Sequence, residues 1–170
     1  ILKNPTFSGA EPLVLDAFPD AKFIIIHRHP STCIASSISL LAAFHKLYSD
    51  VDIKTPTVDV TSSPGFMLSQ GLAATINQST LNRASLSGSE MIDVSYTELS
   101  KASVNVVEKI YQRIDKPLSA SARGRITQWE SNNRQHKHGL HTYSLAEFGL
   151  PDQMIDEAFG EYIKNYGSYF

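Results

Sequence analysis

The 170-residue sequence has little cysteine, little net charge and no long apolar run. Its single cysteine, Cys33, excludes an internal disulfide framework and a metal cluster held by cysteines alone. Acidic and basic residues nearly balance at a net charge of −2, which argues against a dedicated nucleic-acid-binding protein. A membrane-spanning helix needs about 18 consecutive apolar residues, and no run in the sequence approaches that length. No signal-peptide pattern is present.

The remaining composition, with 42% hydrophobic and 19% charged residues, is that of a globular protein long enough to bury a core. We therefore expect one domain over residues 1–170. Because the chain opens Ile1-Leu2-Lys3 without an initiator methionine, we interpret it as a fragment or a mature piece of a longer protein.

Apolar runs and turn signals alternate along the chain. The run Phe23–Ile26, flanked by Pro19 and Pro30, predicts a buried central strand, Met91–Val94 predicts a second, and Ile1-Leu2 resembles the end of an earlier one. Helical segments are expected near Leu13–Phe18, Pro30–Tyr48, Phe66–Leu86, Thr97–Tyr111, Ser119–Glu130 and after Pro151. The second of them is predicted to carry its core-facing stripe through Ile34, Ile38, Leu41, His45 and Tyr48. This alternation predicts an α/β fold with three layers around a central parallel sheet.

The segment with the most chemical information is the end of the first strand. His27-Arg28-His29-Pro30 follows the apolar run and leads into a helix that contains Ser36. Ligands of parallel sheets bind at the carboxyl ends of strands, where the guanidinium of Arg28, helix N–H groups and a serine hydroxyl could hold a phosphate. The alternative is an arginine paired with a carboxylate and a serine merely tolerated in a helix.

The N-terminal part of the chain contains Leu2-Lys3-Asn4-Pro5, then Phe18-Pro19-Asp20-Ala21-Lys22-Phe23 through His27-Arg28-His29-Pro30, and then Ser36. In these segments the chain resembles a sulfotransferase that uses 3′-phosphoadenosine 5′-phosphosulfate (PAPS). Asp93-Val94-Ser95-Tyr96-Thr97-Glu98-Leu99 and the Lys137–Leu150 region extend the resemblance over essentially the whole chain. It implies the C-terminal portion of a sulfotransferase domain with a P-loop-like fold, which transfers a sulfuryl group from PAPS to an acceptor hydroxyl or amine and needs no metal.

The resemblance also implies roles for particular residues. Arg28 and Ser36, eight positions apart as in the family, would hold the 3′-phosphate of PAPS, and Tyr96 would flank its adenine. Lys3 would stabilise the leaving phosphate, since charge builds on the bridging oxygen as the S–O bond breaks. Arg134 and Lys137 could reach the 3′-phosphate or could be solvated surface residues.

The sequence departs from the family in two places. The glycine-rich 5′-phosphosulfate loop, which normally precedes the point where this chain begins, is absent, so we expect the fragment alone to be inactive. Pro5 stands where cytosolic members have a catalytic histidine, which leaves the general base unidentified. Two alternatives stay open: a sulfotransferase-like chain that only binds nucleotide, or a nucleotide kinase-like phosphotransferase, although no Gly-x-x-x-x-Gly-Lys motif is visible.

Other features carry weaker signals. Three loop histidines, His136, His138 and His141, could suggest a metal site, but no carboxylate or cysteine at a suitable spacing completes it, and a polar loop that covers the cofactor is the preferred interpretation. Asn77-Gln78-Ser79 is a glycosylation sequon inside a predicted helix. The segment Ser49–Pro64 is expected to form a loop that contributes to the acceptor pocket. The single cysteine favours the cytosol over the Golgi lumen, but the compartment stays open.

Overall fold

The structure, a computed structural model, describes residues 1–48, 59–86, 91–133 and 143–170. Within these residues the two strands are β1 (Phe23–His27) and β2 (Met91–Ser95). The α-helices are α1 (Glu11–Ala17), α2 (Pro30–Tyr48), α3 (Pro64–Arg83), α4 (Tyr96–Lys101), α5 (Ser103–Arg113), α6 (Ala120–Asn132), α7 (Asp152–Ala158) and α8 (Gly160–Tyr166). Short 3₁₀ turns occupy Pro5–Phe7, Val60–Ser62, Leu145–Phe148 and Gly167–Tyr169.

Residue contacts divide the chain into two compact units. The first unit contains α1, α2, α3, α7 and α8. The second contains both strands, α4, α5 and α6, together with Tyr169 and Phe170 near the end of the sequence. That residues 1–170 form a single domain stays a prediction.

The second unit is built on a parallel two-stranded sheet. β1 and β2 pair in a register that runs from Phe23 opposite Met91 to His27 opposite Ser95. Ile92 and Val94 of β2 form a small core with Val106 of α5. The expected parallel sheet and α/β class are therefore confirmed.

The exposure of β1 differs from the prediction of a buried central strand. Ile24 and Ile26 point to one face of the sheet and are 43% and 50% exposed. On that face, α5 packs against the neighbouring strand β2, which leaves the β1 side chains partly uncovered. Ile1 and Leu2 are fully exposed and lie outside any strand, because a strand requires a partner for its backbone groups and the only pairing among the described residues is between β1 and β2.

The first unit is helical and packs around α2. Ile34 and Ile38 are each 1% exposed, as their spacing predicted, but Leu41 and Tyr48 of the predicted stripe are exposed. The other buried residues of α2 include Ala35 and Ala42, and α3, α7 and the 3₁₀ turn at Leu145–Phe148 pack against this helix.

Two predicted helices are each divided into two shorter ones. The helix expected through Tyr111 breaks at Ala102, whose φ of −150° and ψ of 58° are not helical and which separates α4 from α5. The last helix breaks at Phe159, between α7 and α8. Residues 49–58 of the predicted acceptor loop lie outside the described residues, and α3 starts at Pro64 with the hydroxyl of Ser63 as its N-cap.

Candidate functional site

Arg28 and Tyr96 meet at the carboxyl end of the sheet in the second unit. Arg28 directly follows β1, and Tyr96 directly follows β2 as the first residue of α4. Because His27 and Ser95 lie opposite each other in the parallel register, the two following residues leave the sheet side by side. The guanidinium carbon of Arg28 lies over the Tyr96 ring, 4.5 Å from its centroid. The structure thus brings together two residues that the sequence nominated separately.

This contact orients the arginine. A guanidinium within about 6 Å of an aromatic ring centroid is held by the ring's electrostatic field. A guanidinium that stacks on a ring can still donate N–H groups at its edge, and its planar fork matches the geometry of a phosphate. Both side chains are half-buried, so the pair is accessible to a ligand while being partly protected from water.

The buried side chain of His27 forms a hydrogen bond with the half-buried side chain of Asp93 on the same sheet. The Nε2 atom of His27 lies 2.8 Å from the Oδ1 atom of Asp93, and the His27 side chain is only 1% exposed. The ring of His27 also contacts the ring of Tyr169, at 4.9 Å between centroids. Sequence reasoning did not single out this pair; its one signal was an aspartate inside the otherwise apolar start of β2, Met91 to Val94.

At the start of α2, in the first unit, a backbone N–H group already has a hydrogen-bond partner within the protein. The Nδ1 atom of His29 accepts a hydrogen bond from the backbone N–H of Ser31 at 3.3 Å. Fewer free N–H groups are therefore available to a phosphate than the sequence suggested. Ser36 is half-buried in α2, whereas Arg28 belongs to the second unit. The shared 3′-phosphate site of Arg28 and Ser36 stays a prediction.

Lys3 lies in the first unit, ahead of the 3₁₀ turn at Pro5–Phe7. It is exposed and forms no ion pair with the described residues. The side chain of Asn4 caps the turn by accepting hydrogen bonds from the backbone N–H and the hydroxyl of Thr6, at 3.0 and 2.8 Å. The lysine therefore precedes a locally ordered segment, and its catalytic role stays a prediction.

A buried glutamate anchors the segment that follows Lys3. Glu11 is 1% exposed, and its carboxylate accepts hydrogen bonds from the backbone N–H of Gly9, the hydroxyl of Ser79 and the amide of Asn82. Burial raises the pKa of Glu11, but the hydrogen bonds from Ser79 and Asn82 outweigh that effect and lower the pKa below its ordinary value. The cluster ties the residues before α1 to α3.

The residues of the glycosylation sequon lie in α3 and form hydrogen bonds within the first unit. Asn77, half-buried in α3, donates a hydrogen bond from its amide to the backbone carbonyl of Ala158 at 3.1 Å. Ser79 of the sequon donates to Glu11. Both residues are thus engaged in packing within the first unit, which argues against a glycan at this position.

Several expected residues lie outside the described part of the chain, namely Arg134, His136, Lys137, His138 and His141. Among the described residues, no group of three or more histidine, cysteine, aspartate or glutamate side chains could hold a metal ion. No helix within those same residues is long and apolar enough to cross a membrane.

Comparison with known proteins places this site in context. A family model described as "Sulfotransferase family" matches residues 1–120. The curated omega-hydroxy-beta-dihydromenaquinone-9 sulfotransferases Stf3 of Mycobacterium bovis and Mycobacterium tuberculosis are each 24% identical over 167 residues, covering 98% of this chain and 40% of theirs. The chain therefore spans about two-fifths of the length of these relatives.

Solved structures show the same relationship. The crystal structure of sulfotransferase STF9 from Mycobacterium avium superposes with a TM-score of 0.82 at 25% identity, covering 96% of this chain and 41% of that one. Sulfotransferase STF1 from Mycobacterium tuberculosis gives a TM-score of 0.73 at 27% identity, with coverage of 94% and 39%. With the family match over more than half of its residues, the chain belongs to the sulfotransferase family.

Proposed function

We propose that the protein transfers a sulfuryl group from PAPS to an acceptor hydroxyl or amine, and that this chain carries the part of the site that binds the adenosine 3′-phosphate. The contact of Arg28 with Tyr96 is the observation that supports this proposal most strongly. It places a cation with a planar donor fork and an aromatic ring together at the carboxyl end of a parallel sheet, where ligands of such folds bind.

The residues of this chain suit an adenosine bisphosphate. Arg28 donates N–H groups to the 3′-phosphate, and the hydroxyl of Ser36 adds a further donor. Tyr96 offers the adenine an aromatic surface, while Arg28 occupies one face of its ring. Arg134 and Lys137 are proposed to contribute positive charge to the same phosphate. Kinetic specificity for PAPS over adenosine 5′-phosphosulfate would follow from these contacts.

Lys3 is proposed as the residue that acts on the reaction itself. PAPS supplies an activated sulfuryl group whose departure leaves negative charge on the bridging oxygen of the 5′-phosphate. The ammonium group of Lys3 stabilises that charge in the transition state, as a preorganised electrostatic donor. Such a contact strengthens as the bond breaks and therefore accelerates the chemical step. The proposal requires no metal ion.

The acceptor is proposed at the level of its reacting group. The names of the curated relatives identify an omega-hydroxylated substrate, so an alcohol is the first acceptor class to test. The segment Ser49–Pro64 is proposed as part of the acceptor pocket.

Nucleotide affinity tests the proposed binding site on the 170-residue chain. Calorimetry would compare 3′,5′-bisphosphoadenosine with adenosine 5′-monophosphate, which lacks the 3′-phosphate. Arg28→Ala should weaken binding of the bisphosphate by about 30-fold to 1,000-fold, because a charge-assisted contact is lost, and should change binding of the monophosphate by less than about threefold.

Arg113→Ala is the matched control, since Arg113 is an exposed arginine of α5 in the same unit. It should leave both affinities within about twofold of the parent. Equal affinity of Arg28→Ala and the parent for the bisphosphate, with both proteins folded, would contradict the assignment of Arg28.

The two alternative functions give different results in an activity assay. A chain that only binds nucleotide would retain the Arg28-dependent affinity while the natural protein that carries it transfers no sulfuryl group. A phosphotransferase would transfer the γ-phosphate of ATP in the presence of Mg²⁺ and would not use PAPS.

A further inference from the structure

The buried His27, hydrogen-bonded to Asp93, directly precedes Arg28 of the proposed nucleotide contact. The two side chains point to the same face of the sheet, where Ile25 is the register partner of Asp93 and Ser95 that of His27. The imidazole N–H of His27 donates to the carboxylate across 2.8 Å. The bond therefore runs diagonally between the strands and ties their carboxyl ends together.

Stability alone does not account for this pair. A buried polar pair is often no more stabilising than apolar side chains of similar volume. Isoleucine fills the three preceding positions of β1, Ile24 to Ile26, and would be compatible with the strand at position 27 as well. What a hydrogen bond adds over an apolar contact is direction, because its donor and acceptor must stay aligned.

The imidazole is held from two sides. Asp93, whose side chain is 15% exposed, fixes the ring at its Nε2 edge. Tyr169 packs against the ring at 4.9 Å between centroids, with the two planes inclined by 37°. The last residue of β1 thus has a fixed side chain, and with it a restricted backbone at the point where the chain leaves the sheet.

One pair of register partners in the sheet directly precedes both members of the proposed nucleotide contact. His27 and Ser95 are register partners, and the residues that follow them are Arg28 and Tyr96. A restraint on His27 therefore restrains where the Arg28 side chain starts. A charged group that must meet a phosphate in a bidentate geometry is sensitive to displacements of about 1 Å.

We propose that His27, through its hydrogen bond to Asp93, is a positioning residue that fixes Arg28 for recognition of the adenosine 3′-phosphate. This inference rests on the proposed function. It predicts that the pair affects only nucleotides that carry the phosphate which Arg28 contacts. A merely structural role would affect all nucleotides alike.

The test measures calorimetric affinities of the 170-residue chain for 3′,5′-bisphosphoadenosine and for adenosine 5′-monophosphate. His27→Phe keeps the ring packing against Tyr169 and removes the hydrogen bond. It should weaken binding of the bisphosphate by about tenfold and that of the monophosphate by less than about twofold. His27→Gln, whose amide N–H can reach the same carboxylate, should recover most of the lost affinity.

A double-mutant cycle with Arg28→Ala shows whether His27 acts through Arg28. In the Arg28→Ala background, His27→Phe should weaken bisphosphate binding by less than about twofold, because the group that it positions is already gone. Additive losses, or equal losses for the two nucleotides, would overturn the inference.

The outcomes separate this inference from the proposed function. If Arg28→Ala leaves bisphosphate affinity unchanged, the proposed function fails and the inference fails with it. If Arg28→Ala weakens binding and His27→Phe does not, only the inference fails. Should His27→Phe not fold, Asp93→Ser replaces it with the same expected losses; failure of both variants to fold would overturn a positioning role in favour of a structural one.

Discussion

Replacing Glu11 by alanine should lower the free energy of unfolding of the first unit far more than replacing an exposed glutamate would. Glu11 is 1% exposed, and its removal leaves the backbone N–H of Gly9 and the hydroxyl of Ser79 without the acceptor that they share. Asn82 loses one acceptor but still donates to the carbonyl of Gly9 at 2.9 Å. Two unsatisfied donors at about 1–2 kcal/mol each give a loss of about 2–4 kcal/mol.

The assay is thermal and urea-induced unfolding at neutral pH. A loss of this size lowers the melting temperature of a chain of this length by about 5–15 °C. Glu161→Ala is the matched control, because Glu161 is an exposed glutamate of α8 in the same unit whose carboxylate lies 3.7 Å from the ammonium group of Lys164. It should change the free energy of unfolding by less than about 0.5 kcal/mol.

The pH dependence gives a second, independent check on Glu11. Its pKa is lower in the folded protein than the ordinary value of 4.5, so the unfolded chain binds this proton more readily. The stabilisation by Glu11 is therefore complete above pH 4.5 and is lost as pH falls through the folded pKa. The stability difference between the parent and Glu11→Gln should shrink on acidification. Equal stability of Glu11→Ala and Glu161→Ala, or a difference independent of pH, would refute this reasoning.

Two further predictions concern single residues of the first unit. Gly9→Ala should cost about 1–2 kcal/mol in unfolding free energy, because Gly9 has a φ of +82° and an added Cβ would lie 3.0 Å from the carbonyl oxygen of Thr75. Gly160→Ala should be nearly neutral, because a Cβ added there would meet no packing neighbour within 4 Å among the described residues. Lys3→Ala, in the natural protein that carries this chain, should lower kcat by about 100-fold or more and leave KM for PAPS nearly unchanged. Lys3→Arg should restore little of the lost kcat. Steady-state kinetics in which KM rose and kcat did not change would contradict this prediction.

The elements of the fold were predictable where the signals are local. The strands at Phe23 and Met91 and the helix start at Pro30 follow from short apolar runs and from proline, which act within a few residues. Burial was predicted less well. The exposure of Ile26 and Leu41 depends on which elements pack on each face, and a single strand or helix does not contain that information.

The site shows the same division. Arg28 was proposed from its position after a strand and Tyr96 from the family resemblance, and the parallel register explains why these two distant residues meet. The hydrogen bond between His27 and Asp93 was not anticipated, because it depends on the register of two strands between which α2 and α3 lie in the sequence. The Glu11 cluster was missed for a similar reason: a glutamate in the first turn of a helix is ordinarily a solvated residue that favours the helix dipole.

A transfer assay with radiolabelled PAPS on the natural protein that carries this chain tests the central claim most directly. With a panel of hydroxyl and amine acceptors, we expect labelled sulfate on an acceptor and release of 3′,5′-bisphosphoadenosine. Both should fall strongly on Arg28→Ala and Lys3→Ala but not on Arg113→Ala. Phosphate transfer from ATP with no use of PAPS would contradict the proposed function, as would nucleotide binding without sulfuryl transfer to any acceptor of the panel.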